Sequence, residues 1–369
     1  MQSTTSFKSK DILLTKLILT NFKNYDLTEI EFTAGFNLIY GANGGGKTNI
    51  LDAIHYLALG KSHFVPQDRM AIKTGNDFFR IEGDFDQEGK PVKVILKYTG
   101  KSKKLEYNDR PISRIADHIG KIGLVMIAPD DLDIIDGLSA LRRKYMDITL
   151  VQSSHEYLVH LTTYKKLLDQ RNAYLKQSPI DPVFLQVLNE KMDPHATALF
   201  HYRKSFAMDF IPYFNKYYQA ISGEKEKVEI QYESDLSQQS LLSLLDESLN
   251  HDLRIQYTSR GSHKDDLRFV INDQDVKYVA SQGQKKTFLV SLFLAQADYL
   301  SHTMSSMPII LLDDVFDKLD PLRVRQLMYT LYKMDGVQII MTDTTQLRIN
   351  PIIQELNIPS HFIPIETYI

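Results

Sequence analysis

The string Gly41-Ala42-Asn43-Gly44-Gly45-Gly46-Lys47-Thr48 is the part of the chain best suited to chemistry. Clustered glycines let the backbone curve so that successive N–H groups converge, and a helix starting directly after them adds its positive end, making a cradle for phosphate oxygens. Lys47 then balances the charge of a β/γ-phosphate pair and counts as catalytic, Thr48 offers a hydroxyl to Mg2+, and Asn49 completes the nucleotide-binding set. The competing reading is a glycine-rich turn without function. Against it, glycine clustering, lysine and hydroxyl coincide between a strand pattern and a helix pattern.

Pro308-Ile309-Ile310-Leu311-Leu312-Asp313-Asp314 is an apolar strand ending in two carboxylates. Asp313 is placed to hold Mg2+ and Asp314 to polarise an attacking water. Alone, the string is an ordinary strand end; paired with an upstream phosphate loop, it is the second half of a site. A third string, Ser281-Gln282-Gly283-Gln284, precedes Lys285, Lys286 and an apolar-rich stretch over 287–300. Serine and glycine at a helix N-terminus suit either a cap or an anion site.

The elements that must position these residues are legible in outline. Leu13, Leu14, Leu17, Ile18 and Leu19, then Ile30 and Phe32, then residues 36–40 read as strands leading into the glycine loop. Ile50, Leu51, Ile54, Leu57 and Ala58 have helical spacing that ends near Gly60. Residues 78–110 predict a small antiparallel sheet, with PVKVILKY its clearest strand and GDFDQEGK a turn-bearing connection, and GLVMIAP at 123–129 predicts a buried strand. From about Ser139 to Ser222 helical periods dominate; strand patterns return at VEIQYES and DLRFVIN, and parallel-sheet patterns at PIILLDDVF and VQIIMTD.

Composition narrows the function classes. The 369 residues are 43% hydrophobic and 24% charged, ordinary for a globular protein large enough for two lobes. The absence of cysteine removes disulfides, zinc-thiolate sites and thiol nucleophiles together and fits a reducing compartment, with cytoplasm the expected location. No apolar run is long enough for a membrane span. A net charge of −3 leaves any nucleic-acid contact to local basic patches, of which Arg142-Arg143-Lys144 is the candidate and Lys101, Lys103 and Lys104 a weaker one. His263, Asp265 and Asp266 have metal-ligand side chains but read as a hydrogen-bonded turn.

The order phosphate loop, long insertion, Ser281 string, carboxylate strand resembles that of ABC-type ATPases, and within them the chain resembles the RecF family, whose ATPase head is related to the SMC and Rad50 heads. The resemblance runs over most of the chain: NFKNY at 21–25, GANGGGKTNILDAIHYLALGKS at 41–62, APDDLDII at 128–135, RRKYMD at 142–147, QRN at 170–172, GSHKDDL at 261–267, SQGQKK at 281–286 and LLDDVFDKLD at 311–320. It implies an α/β fold: an ABC-type phosphate-loop ATPase head with a mixed sheet core and an antiparallel β subdomain in 1–135 and 255–369, and an inserted helical arm in 136–254. It implies that Ser281, Gln282, Gly283 and Gln284 form the signature that meets the γ-phosphate of an opposite subunit. It further implies that Lys23 and Asn24 lie near the adenine or ribose, that Asp130 or Asp131 stands at the Q-loop position, and that Asp317, Leu319 and Asp320 belong to a D-loop along a dimer interface. Two departures stand out: Ser262-His263-Lys264 replaces the family's Pro-His-Arg, and Thr342-Asp343 takes the place of the switch histidine of transporters.

The expected function is an ATP- and Mg2+-dependent homodimer that binds double-stranded or gapped DNA in recombinational repair, hydrolyses ATP slowly as a release switch, and, as the resemblance implies, works with a RecR-like mediator to load RecA, with no membrane partner. The alternatives are a scaffold that binds ATP without hydrolysis and a nucleotide-binding subunit of another ABC system. The long insertion and the missing histidine disfavour the transporter reading.

Overall fold

In the computed structural model, which describes residues 11–223, 226–316 and 321–368, the chain forms two compact units. The first comprises residues 1–131, 217–223 and 290–369, the second 132–216 and 224–289.

The strands, in chain order, are β1 (Ile12–Phe22), β2 (Tyr25–Glu31), β3 (Phe36–Tyr40), β4 (Phe79–Gln87), β5 (Lys90–Tyr98), β6 (Lys103–Tyr107), β7 (Arg110–Ile112), β8 (Leu124–Ile127), β9 (Val228–Glu233), β10 (Asp266–Ile271), β11 (Gln274–Asp275), β12 (Ile309–Leu312), β13 (Ile339–Asp343) and β14 (Ser360–Pro364). The first unit holds an antiparallel sheet in the order β2-β1-β4-β5-β6-β7 and a parallel sheet in the order β14-β3-β13-β12-β8.

Local sequence explains the details. Leu14 and Leu17 are an odd number of residues apart, so strict alternation would turn one of them outward; a register shift between Leu14 and Lys16 keeps both inside, with Ile12 and Leu19. The segment GDFDQ is strand rather than connection, because Phe79, Ile81, Gly83 and Phe85 all face inward, and only Glu88 and Gly89, both with positive φ, make the turn. Gly83 permits the helix Lys47–Leu59 to approach: a Cβ there would lie 2.6 Å from Leu57 Cδ1. Tyr56 of the same helix packs edge to face with Phe22 and Phe79, which also meet each other, at 5.4–5.8 Å between ring centres.

The parallel strands β3, β8, β12 and β13 are largely apolar and buried on both faces, as expected for the inner part of such a sheet. Their register pairs Tyr40 with Asp343 and Leu312 with Met341, so the loops after β3, β12 and β13 leave from one edge. Ligands of α/β sheets bind at that carboxyl edge. The edge strand β14, containing His361 and a closing Pro364, has no strong strand pattern and went unforeseen.

In the second unit the helices Ser139–Ser153 and His155–Tyr174 and most of Pro182–Ser222 accompany the sheet β11-β10-β9. This division differs from the expected lobes. β10 pairs with β9 over six residues each, which draws 255–289, including Ser281–Gln284, into the helical unit instead of the core.

Candidate functional site

The glycine loop occupies the turn between β3 and the helix Lys47–Leu59. Gly46 caps that helix at φ 90, and a Cβ at this position would lie 2.4 Å from Asn24 Nδ2 and 2.7 Å from the Tyr25 hydroxyl oxygen. The β1–β2 hairpin therefore supports the loop from one side, and Asn24 also accepts a hydrogen bond from Asn49 Nδ2 at 2.7 Å. At Gly44 a Cβ would meet nothing within 4 Å, so this part of the loop has room for a ligand. Lys47, 5% exposed as a residue, donates from its ammonium to the carbonyls of Gly41 at 2.8 Å and Ala42 at 3.0 Å. Glu366, from the turn after β14, accepts from Ala42 N–H at 3.4 Å. Nothing in the sequence near Glu366 signals this contact.

Asp313 meets the loop directly. Its carboxylate accepts from Thr48 Oγ1 at 3.0 and 2.9 Å and from Thr342 Oγ1 at 2.8 Å. Burial pushes the carboxyl above its ordinary pKa and the nearby Asp314 adds to this, while the bonds from Thr342 and Thr48 and the charge of Lys47 pull the other way. Asp314 follows at φ 45, its N–H donating to Thr342 Oγ1 at 3.0 Å. Hydroxyl and carboxylate oxygens at a helix N-terminus are the donor set a hard divalent cation such as Mg2+ takes. Asp343, 4% exposed, closes this edge: Oδ1 accepts from Thr344 Oγ1 and Thr345 N–H, whereas Oδ2 is buried without a hydrogen bond, 3.9 Å from Arg348 Nη1. A buried acceptor with spare capacity fits a site that receives a donor from outside the chain.

The other expected residues divide. Ser281 stands just before the helix Gln282–Met304 in a reciprocal capping box, its N–H donating to Gln284 Oε1 at 2.7 Å and its Oγ accepting from Gln284 N–H at 3.2 Å. Ser281 and Gln282 are exposed, Gly283 and Gln284 partly so. Asp131 accepts from Ala128 N–H at 2.7 Å and lies 3.5 Å from His63 Nε2, and Asp130 is exposed beside it. Asp317, Leu319 and Asp320 lie outside the described residues.

Lys23, expected near the adenine or ribose, makes an intramolecular pair here. Its ammonium forms a 2.7 Å ion pair with the fully buried Asp52, which also accepts from Ser62 Oγ and His63 N–H, so it ties the hairpin to the loop helix. In the candidate basic patch two of the three side chains have partners within the unit. Arg142 makes a bidentate pair with Asp266 at 2.7 and 2.9 Å, and Arg143 donates to Ser139 Oγ and the Asp265 carbonyl; Lys144 alone of the three is exposed. Of the three, only the Arg142 charge is matched by a carboxylate within the unit among the described residues. His263 and Asp265 form the expected turn: His263 bonds Tyr164 Oη at 2.9 Å and the Thr258 carbonyl at 2.9 Å, and Asp265 accepts from Arg203 at 2.7 Å and Tyr232 at 2.7 Å. Among the described residues no three His, Asp or Glu side chains group as metal ligands, and no helix is long and apolar enough to cross a membrane.

With this geometry in place, comparison with known proteins is direct. Residues 13–354 match the family model of the RecF/RecN/SMC N-terminal domain. The DNA replication and repair protein RecF of Flavobacterium johnsoniae is 40% identical over 346 residues, covering 92% of this chain and 96% of that protein. That of Bacteroides fragilis is also 40% identical, covering 94% of each. Among solved structures, the recombination mediator protein RecF-ATP in the RecFOR pathway superposes with a TM-score of 0.84 at 28% identity over 92% of this chain and 94% of that one. An SMC head bound to the C-terminal winged-helix domain of ScpA, at 16% identity and a TM-score of 0.55 over 92% of this chain and 91% of that one, shares the fold.

Proposed function

The chain belongs to the RecF family of DNA replication and repair proteins, within the RecF/RecN/SMC group, and from that premise we propose that it is an ATP-controlled DNA-binding dimer whose two copies close over two ATP molecules. The observation that carries this reading is the contact of Thr48 with Asp313, which joins the phosphate loop to the carboxylate strand across most of the sequence.

In each copy the curved loop Gly41–Gly46 receives the phosphates on its N–H groups, Lys47 turns from the loop carbonyls toward the β/γ oxygens, and Asn24 and Asn49 border the loop. Thr48 and Asp313 are the residues that would hold Mg2+, which would screen phosphate charge when bound. Ser281 and Gly283 of the second copy complete the site from the N-terminus of their helix. The γ-phosphate then satisfies donors on both copies, so ATP binds the dimer better than the monomer and drives closure. In hydrolysis, Asp314 orients a water and takes its proton as the water oxygen attacks the γ-phosphorus; the bond to the bridging oxygen breaks, ADP leaves, and the link between copies is lost. The closed dimer holds duplex or gapped DNA mainly through its phosphates, so binding weakens with salt and shows little base preference. In this proposal a recombinase is supplied through a RecR-like mediator, which the placement of solved relatives in a RecFOR pathway supports.

Sedimentation of the purified protein with ATP, ADP or no nucleotide, each with and without gapped duplex, tests this reading. Dimers should form with ATP alone and persist on DNA. A sedimentation coefficient indifferent to nucleotide would overturn it.

A further inference from the structure

We infer that Thr342 is a positioning residue for hydrolysis, one hydroxyl setting both the Asp313 carboxylate and the backbone turn that carries Asp314. Transporters of the ABC class are expected to place a histidine after the strand equivalent to β13, and here the strand ends on Thr342 and Asp343 instead.

The geometry begins in the strand register. β12 and β13 run parallel with Leu312 beside Met341, so the next residues, Asp313 and Thr342, come out side by side. Thr342 is fully buried. Its Oγ1 donates to Asp313 Oδ1 at 2.8 Å and accepts from Asp314 N–H at 3.0 Å. A hydroxyl carries one donor and two acceptor sites, so both bonds coexist. The second bond falls on a strained residue: Asp314 has φ 45, a region that costs a side-chain-bearing residue about 1 kcal/mol or more unless its surroundings hold it. The first bond stops rotation of a carboxylate that otherwise takes its hydroxyl contact from Thr48. A valine keeps the shape of threonine and removes both bonds. Without them Asp314 can relax toward negative φ and Asp313 can turn in its pocket, each moving an oxygen away from the place the reaction needs.

This inference rests on the proposed function, and its test separates the two. Wild type, Thr342→Val and Thr342→Ser are compared for affinity toward a fluorescent ATP analogue, single-turnover hydrolysis of ATP, the lifetime of ATP-dependent dimers and thermal midpoint. Thr342→Val should bind the analogue within about threefold of wild type and hydrolyse ATP between about tenfold and a hundredfold more slowly, the loss that a displacement on the order of 1 Å causes. Its dimers should outlast those of wild type. Thr342→Ser, which restores the hydroxyl, should recover most of the rate. If the valine variant does not fold, Thr342→Ala replaces it in every arm. Wild-type hydrolysis in a folded valine or alanine variant overturns the inference while leaving the proposed function standing; a serine variant as slow as the valine one overturns it too. A wild type that neither dimerises with ATP nor hydrolyses it overturns both.

Discussion

Thr48 donates to both oxygens of Asp313, at 3.0 and 2.9 Å, although 265 positions separate them. The bond joins the start of the loop helix to the end of β12, at the proposed meeting point of cation and phosphate. Asp313→Asn retains the size of the side chain and removes its charge. Hydrolysis supported by Mg2+ should fall by at least about a hundredfold, as when a group stabilising transition-state charge is lost. The fold should survive, because relief of a buried charge offsets part of the lost bonding. Steady-state phosphate release with a Mg2+ titration reads the effect, and an unchanged rate would remove Asp313 from the site.

Replacement of Asp314 by asparagine separates closing from opening. The variant should form dimers with ATP as wild type does and retain them, because the group assigned to accept the proton of water is gone. Light scattering after dilution from ATP into ADP measures their decay. Dimers no longer lived than wild type would defeat the assigned role.

Ser281→Arg places a large cation at the exposed start of the helix Gln282–Met304 and deletes the hydroxyl that caps it. Loss of the cap should cost about 1 kcal/mol locally. Nucleotide affinity of the monomer should stay near wild type, whereas ATP-driven dimerisation should disappear. Intact dimers in this variant would contradict the placement of Ser281 against the nucleotide of a second copy.

Arg203 is 2% exposed and donates to Asp147 at 2.9 Å, Asp265 at 2.7 Å and the Ser262 carbonyl at 2.6 Å, with Tyr157 Oη 3.0 Å from its Nε. Arg203→Met should destabilise the second unit by about 3–5 kcal/mol, the usual cost of leaving buried carboxylates without their partner. Denaturant unfolding followed by tyrosine fluorescence checks this, and a loss below about 1 kcal/mol would show that the network is not under load.

Acid sensitivity should come partly from His263. Burial lowers its pKa from 6.5 to about 4, with Lys264 and Arg143 pushing the same way and the bond to the Thr258 carbonyl and the charge of Asp252 opposing. The unfolded chain therefore binds more protons than the folded one between these values, so the contribution is complete above pH 6.5 and is lost as pH falls toward 4. Its size is roughly 1–3 kcal/mol, given that the ring keeps some solvent contact. Thermal midpoints from pH 7.5 to 4.5 should fall less steeply in His263→Gln than in wild type; parallel curves would exclude this histidine.

What the chain settled by itself was local: glycines, lysine and hydroxyl in consecutive positions, an apolar run ending in Asp313 and Asp314, and helical periods through 139–222. These follow from backbone freedom and side-chain period, which act over a few residues. Partners were another matter. Arg142 and Arg143 looked available for phosphate, and only folding showed Asp266, 124 positions on, taking the first. Lys23 was claimed by Asp52 in the same way. Thr342 meets Asp313 because two parallel strands adopt one register, and Glu366 reaches Ala42 because β14 lies beside β3. Charge and hydrogen-bonding capacity are properties of a residue, but whether they face a ligand or a neighbour depends on distances that tertiary packing alone decides.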